Sequence, residues 1–158
     1  MTVLKIHLSN TLSIHAQMLN ELAQFAKDAL PLESCALLLG EEKHWNSKVF
    51  DTVLLRNYDE SKFSFSIHPN DLFLGYQQAK KSGLEVVGIF HSHPSLPIPS
   101  EKDKKFMQLN PIVWLIYSTQ SNEYSAFIYS DRMLQVKISH QGLRRSTSLG
   151  NRTTSLIF

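Results

Sequence analysis

The chain has 158 residues, 42% of them apolar, with 16 basic and 14 acidic side chains and a formal net charge of +2. That length suits one domain with a real core. The ordinary apolar content excludes a disordered chain, and the near balance of charge excludes a strongly basic nucleic-acid binder. No apolar run is long enough to span a bilayer, and no secretory signal follows Met1, so the expected location is the cytoplasm. Cys35 is the sole cysteine, so no intrachain disulfide is expected.

The hydrophobic pattern predicts a mixed chain. Val3 to Leu8 alternates apolar and polar residues and reads as a strand. Ser13 to Leu30 reads as a helix with Ile14, Met18, Leu22 and Phe25 on one stripe, closed by Pro31. Cys35 to Leu39 is a buried strand. Lys48 to Arg56 and Phe63 to Ile67 read as strands separated by a polar turn. Asn70 to Lys81 is a second helix, capped at Asn70 or by nearby polar groups and ended by Gly83. Glu85 to His91 is a central strand, and Ser100 to Gln108 a short helix. Ile112 to Tyr117, Glu123 to Tyr129 and Met133 to Ser139 complete the strands. The expected architecture is a single α+β domain over residues 1–140, a central mixed, largely antiparallel sheet flanked by helices. Residues 141–158 form a polar, basic tail without an acid. It reads as a frayed end; the rival reading is a docking segment for an acidic partner, anchored by Leu156-Ile157-Phe158.

The chemistry concentrates in Gly88-Ile89-Phe90-His91-Ser92-His93-Pro94 and Ser100-Glu101-Lys102-Asp103. Side chains alternate along a strand, so His91 and His93 share a face. Pro94 lacks the N–H a ladder needs and ends the strand. Two imidazoles on one face suit zinc. With Asp103 they supply three protein ligands and leave a fourth tetrahedral position for water, the layout of a catalytic site. Asp103 also fits a capping pattern behind Ser100, a role compatible with metal binding.

Glu33 stands at the lip of the buried run Cys35-Ala36-Leu37-Leu38-Leu39, a costly place for a charge that nothing uses. Beside activated water such an acid can act as general base. Alone it would be a solvated loop acid, and its value depends on the histidine motif. Cys35 reads as a small buried hydrophobe rather than a nucleophile. His7, His15, His44, His68 and His140 share no face or metal spacing, and Trp114 reads as core. Pro97 and Pro99 stiffen the loop after His93. Leu96 and Ile98 in that loop are exposed candidates for substrate contact, and Asn57 and Tyr58 are candidates for the groove beside the site.

Together, Glu33-Ser34-Cys35-Ala36-Leu37-Leu38-Leu39-Gly40, His91-Ser92-His93-Pro94 and Ser100-Glu101-Lys102-Asp103 resemble the JAMM (MPN+) metalloprotease family, in its compact prokaryotic or archaeal form. Phe65-Ser66-Ile67-His68-Pro69 is similar to the family's segment before its middle helix, and the resemblance runs from about Leu30 to about Ser130. The loop between His93 and Ser100, Pro94 to Pro99, is one residue shorter than the family's usual spacing.

The resemblance implies the cytidine-deaminase-like JAMM/MPN fold and one Zn2+ per chain, held by His91, His93 and Asp103. Glu33 would be the acid/base, and Ser100 would stabilise the oxyanion. The implied activity is a zinc-dependent isopeptidase, deubiquitinase- or desampylase-like. It would hydrolyse the amide at the C-terminus of a ubiquitin-like or sulfur-carrier protein, with no nucleic-acid or membrane partner. The alternatives are a non-catalytic MPN scaffold, opposed by the presence of all five polar residues, and a RadC-like DNA-associated protein, opposed by the absence of a helix-hairpin-helix segment and of a strong basic face.

Overall fold

The computed structural model describes residues 11–141. The strand expected over Val3 to Leu8 lies outside them, as does the expected tail beyond Gln141.

The chain begins with β1 (Thr11–His15), whose Leu12 and Ile14 point into the core. Next comes α1 (Ala16–Asp28). His15 caps it: its Nδ1 accepts the Gln17 N–H at 3.2 Å, satisfying one of the helix's orphan donors. One stripe of α1, Met18, Leu19, Leu22 and Ala26, is buried. β2 (Cys35–Lys43) and β3 (Asn46–Leu55) then form an antiparallel pair. β2 is buried without interruption from Cys35 to Gly40, the signature of a strand covered on both faces. α2 (Pro69–Lys81) starts with proline, whose missing N–H costs nothing in a first turn. His68, rather than Asn70, caps it, and Gly83 follows its end at φ +68, a conformation that favours glycine. β4 (Glu85–His93), α3 (Glu101–Leu109), β5 (Val113–Ser118), β6 (Tyr124–Tyr129) and β7 (Met133–Gln141) complete the described chain.

The strands close on themselves in the order β1-β3-β2-β4-β5-β6-β7. Among the described residues the fold is therefore a closed seven-stranded mixed β-barrel with three short helices, which corrects the expected α+β sheet flanked by helices. The error has a local origin. Ser13, Ile14 and His15 fall within the helical stripe of the sequence, but they belong to β1, the strand that closes the barrel. β1 pairs in parallel with β3 through Thr11–Ser13 and with β7 through Thr11–His15. Both partners are distant in sequence, so no local pattern announces the closure. A second correction concerns Phe63 to Ile67, which is loop, not strand. Its apolar residues Phe65 and Ile67 pack onto the core as β-residues would, but the backbone of Ser64 and Ser66 bonds to the side chain of Asn57 instead of a ladder.

Alternate residues of β2 supply two apolar clusters. Ala36 and Leu38 pack with α1 and with Phe90, Leu115 and Tyr117. Cys35, Leu37 and Leu39 pack with Phe65, Ile89, Met107 and Trp114. The β2–β3 register shifts between Leu39 and Gly40. There the two backbones approach so closely that a Cβ on Gly40 would lie 1.8 Å from the Lys48 carbonyl oxygen. Gly40→Ala is expected to destabilise the fold by about 1–3 kcal/mol, read as a lower urea midpoint at an unchanged m-value. An unchanged midpoint would mean the bulge relaxes freely.

Candidate metal centre

β4 delivers His91 and His93 to one face, both buried, as the period of a strand requires. β4 lies between β2 and β5, pairing Cys35 with His91 on one side and Ile116 with His91 on the other. The third group comes from α3. Ser100 is its N-cap: its Oγ accepts the Asp103 N–H at 3.1 Å, while its own N–H donates to Asp103 Oδ2 at 2.7 Å. This reciprocal capping box fixes the Asp103 carboxylate at the head of the helix. The six-residue loop thus delivers Ser100 to the N-cap and Asp103 to the histidines.

The three groups converge. His91 Nε2 lies 2.9 Å from His93 Nε2, and Asp103 Oδ2 lies 3.4 Å and 3.1 Å from them. His93 Nδ1 faces the Leu96 carbonyl at 3.4 Å, which favours the proton there and leaves Nε2 as a lone pair. Two imidazole nitrogens and a carboxylate oxygen thus face a common point. A tetrahedral ion with bonds near 2.0–2.1 Å spaces its ligands about 3.3 Å apart, close to these edges. The donor set fits a metal ion: these three buried residues could hold one.

Electrostatics agree. Burial pulls the His91 imidazolium below its ordinary range, so the ring is neutral as a ligand must be. Burial also opposes charge on Asp103, but the two imidazoles beside it and the Ser100 N–H outweigh it and hold the carboxyl well below the usual carboxylate range. At His93 the same burial is outweighed by Asp103 and Glu33, and its pKa is raised. The His91 ring is held by stacking on Phe65, with centroids 4.6 Å apart, and by the edge of Trp114 at 5.8 Å. Its Nδ1 has no hydrogen-bond partner among the described residues.

Glu33 is buried, with Oε1 4.0 Å from His93 Nε2. Burial pushes its carboxyl up to about 7; His93 opposes the shift and Asp103 adds to it. Its neighbour Ser34 is bound to Ser92, the residue between the histidines. The Ser34 N–H donates to Ser92 Oγ at 2.9 Å, and the Ser92 N–H donates to the Ser34 carbonyl at 3.0 Å. On the other side, Asn57 Nδ2 donates to the Glu33 carbonyl at 3.0 Å. Leu96 and Ile98 stand on the loop after β4, each 56% exposed, while Pro97 between them is buried.

Sequence reasoning assigned Ser34 and Ser92 no part, and it named Asn57 only as a groove residue. The available signal for Ser92 was strand alternation, which turns it away from the histidines towards the Glu33 segment. Cys35 lies under the site, fully buried, and burial pushes its thiol up to about 12. It is expected to resist iodoacetamide at pH 8 in the native protein and to react once urea unfolds it, as followed by mass spectrometry. Alkylation of the native protein would show that this region opens readily.

Residues 15–129 match the model of the prokaryotic homologs of the JAB domain. A curated desampylase of Pyrococcus furiosus is 37% identical over 110 residues, covering 68% of this chain and 75% of the relative. A solution structure from Desulfitobacterium hafniense is 28% identical with a TM-score of 0.75, covering 85% of this chain and 95% of that one. A second, from Salinibacter ruber, is 22% identical with a TM-score of 0.60 over 88% and 95% of the two chains, a likeness of fold. No helix among the described residues is long and apolar enough to cross a membrane. The chain belongs to the JAMM/MPN family, among the prokaryotic homologues of the JAB domain.

Proposed function

We propose that the chain is a zinc-dependent isopeptidase that cleaves the amide joining the C-terminus of a ubiquitin-like or sulfur-carrier protein to a lysine or small amine. The observation that carries this reading is the convergence of His91, His93 and Asp103 with the buried Glu33 carboxyl beside them. The 37% identity to a protein named a desampylase supports the substrate class.

His91, His93 and Asp103 would hold the zinc. When bound, zinc would supply Lewis acidity, lowering the pKa of water and polarising a carbonyl oxygen. Glu33 accepts a proton as water attacks the carbonyl carbon, and returns it to the nitrogen as the C–N bond breaks. The products are the carrier's free carboxylate and the amine. Its burial suits a base that must also serve as an acid, because neither protonation state is strongly favoured. Ser100 Oγ accepts the Asp103 N–H, so the hydroxyl's own proton is the one it donates to the developing oxyanion. Leu96 and Ile98 contact the extended C-terminal segment of the carrier, whose backbone suits pairing alongside such a loop.

Zinc measured by elemental analysis is expected at one equivalent per chain, and at a small fraction of that in Asp103→Ala. A carrier protein fused through its C-terminus to an amine reporter is expected to be cleaved by the zinc-loaded wild type. Glu33→Gln should retain the zinc and lose activity on the order of 10²–10⁴-fold. Zinc bound without cleavage of any carrier fusion would refute the substrate assignment, and a fully active Glu33→Gln would refute the acid/base role. For the loop, Leu96→Ala with Ile98→Ala should raise KM by about tenfold, the loss of some 1.4 kcal/mol of apolar contact, with little change in kcat. An unchanged KM would move the substrate elsewhere.

A further inference from the structure

The Glu33 carboxyl is useful only if it is held at a fixed place beside the cluster, and Glu33 precedes β2 rather than lying in it. Its backbone is anchored to the loop after β3. The Glu33 N–H donates to the Ser61 carbonyl at 2.9 Å, and the Glu33 carbonyl accepts from Asn57 Nδ2 at 3.0 Å. Asn57 is itself buried, and its amide is fully used. Nδ2 also donates to the Ser64 carbonyl at 2.9 Å, and Oδ1 accepts the N–H groups of Asp59 at 3.0 Å and Ser66 at 3.2 Å. One side chain thus organises the loop and grips Glu33 in the same set of bonds.

The loop is tied in turn to the helix that carries Asp103. Asp59 Oδ2 accepts from Ser64 Oγ at 2.7 Å and from Lys102 Nζ at 2.6 Å. Lys102 immediately precedes Asp103 in the first turn of α3. Lys102, with Ser64 and Ser66, holds the Asp59 carboxyl down to about 2, so the ion pair persists through neutral pH. A continuous path therefore runs from Glu33 through Asn57 and Asp59 to Lys102 and Asp103. None of the three linking side chains is among the converging ligand atoms.

We propose that Asn57, backed by the Asp59–Lys102 ion pair, is the positioning element that sets the place of Glu33 relative to the His91–His93–Asp103 cluster. The inference rests on Glu33 as acid/base. Asn57 is a positioning residue, acting through the Glu33 backbone. Removing its amide frees the Glu33 carbonyl and two turns of the loop while β4, the strand bearing both histidines, keeps its pairing. Misplacing an acid/base by an ångström costs rate on the order of 10²-fold.

The test combines amide hydrogen exchange with kinetics on the zinc-loaded full chain. In Asn57→Ala, exchange at the Glu33 amide should accelerate while β4 and β5 amides keep their protection. Against the carrier–amine fusion, kcat should fall on the order of 10²-fold, with KM and zinc content unchanged. In the Glu33→Gln background, Asn57→Ala should add no further loss. Asp59→Lys and Lys102→Asp should each lower kcat about two- to fivefold, the range of an exposed ion pair, and the double reversal should restore it. Unchanged exchange at Glu33, or faster exchange with an unaltered kcat, overturns the proposal. So does faster exchange throughout β4 and β5, which marks a structural role, or an additive loss in the Glu33→Gln background. A double reversal no better than the worse single variant overturns the part played by the ion pair. If the wild type cleaves no carrier fusion, the isopeptidase reading fails by itself; the exchange data still decide whether Asn57 fixes Glu33.

Discussion

Two imidazole nitrogens and a carboxylate oxygen face one another across 2.9 to 3.4 Å in a buried space. Acceptors do not gather in this way without something positive among them, a proton or a cation, because their mutual repulsion is strongest where water is excluded. The rest of the molecule is arranged to hold this convergence. β4 is paired on both sides, so its end does not fray. The histidine rings are fixed from behind by aromatic packing and by a backbone carbonyl. Asp103 is clamped by the helix cap. The protein supplies a frame, built on strand and helix rather than on loop, that could hold an ion at this point.

Asp103 makes the economy of the arrangement plain. Its Oδ2 accepts the Ser100 N–H and is also the oxygen facing both histidines. The carboxylate therefore caps α3 and points into the cluster with the same atom. Helix formation orients the would-be ligand, and charge bound at the cluster in turn favours the ionised form that caps the helix best. The loop from Pro94 to Pro99 then has little to specify. The cap sets its end point at Ser100.

What could be read from the sequence depended on the range of the interactions involved. The end of β4 was legible because alternation and proline are local rules, and so was the start of α3, because Ser100 and Asp103 are three residues apart. The helices α1 and α2 were legible to within a few residues from their apolar stripes. The barrel was not. Its closure depends on β1, five residues whose apolar positions continue into the stripe of α1, and on parallel pairing with strands far along the chain. Local periodicity carries no information about such pairings. Phe63 to Ile67 misled for the opposite reason: its pattern is that of a strand, but the buried amide of Asn57 outcompetes a ladder for its backbone.

The same distinction explains why the machinery around Glu33 was harder to see than Glu33 itself. A carboxylate at the lip of an apolar run is conspicuous because burying it costs free energy that a solvated position would not. The groups that hold it are ordinary polar residues: Ser34 and Ser92 on the strand side, Asn57 on the loop side. Each is spent on backbone bonds across the fold, 58 positions apart for the serines and 24 for Asn57 and Glu33. A serine between two histidines looks like a spacer until the alternation of β4 is followed to its other face. There it binds the segment bearing the acid, so the strand that presents the histidines also fixes the residue beside Glu33. Two tethers thus hold the segment around Glu33, one through the sheet and one through the loop. The sheet tether is buried, whereas the loop tether is closed by the Asp59–Lys102 ion pair, partly open to solvent.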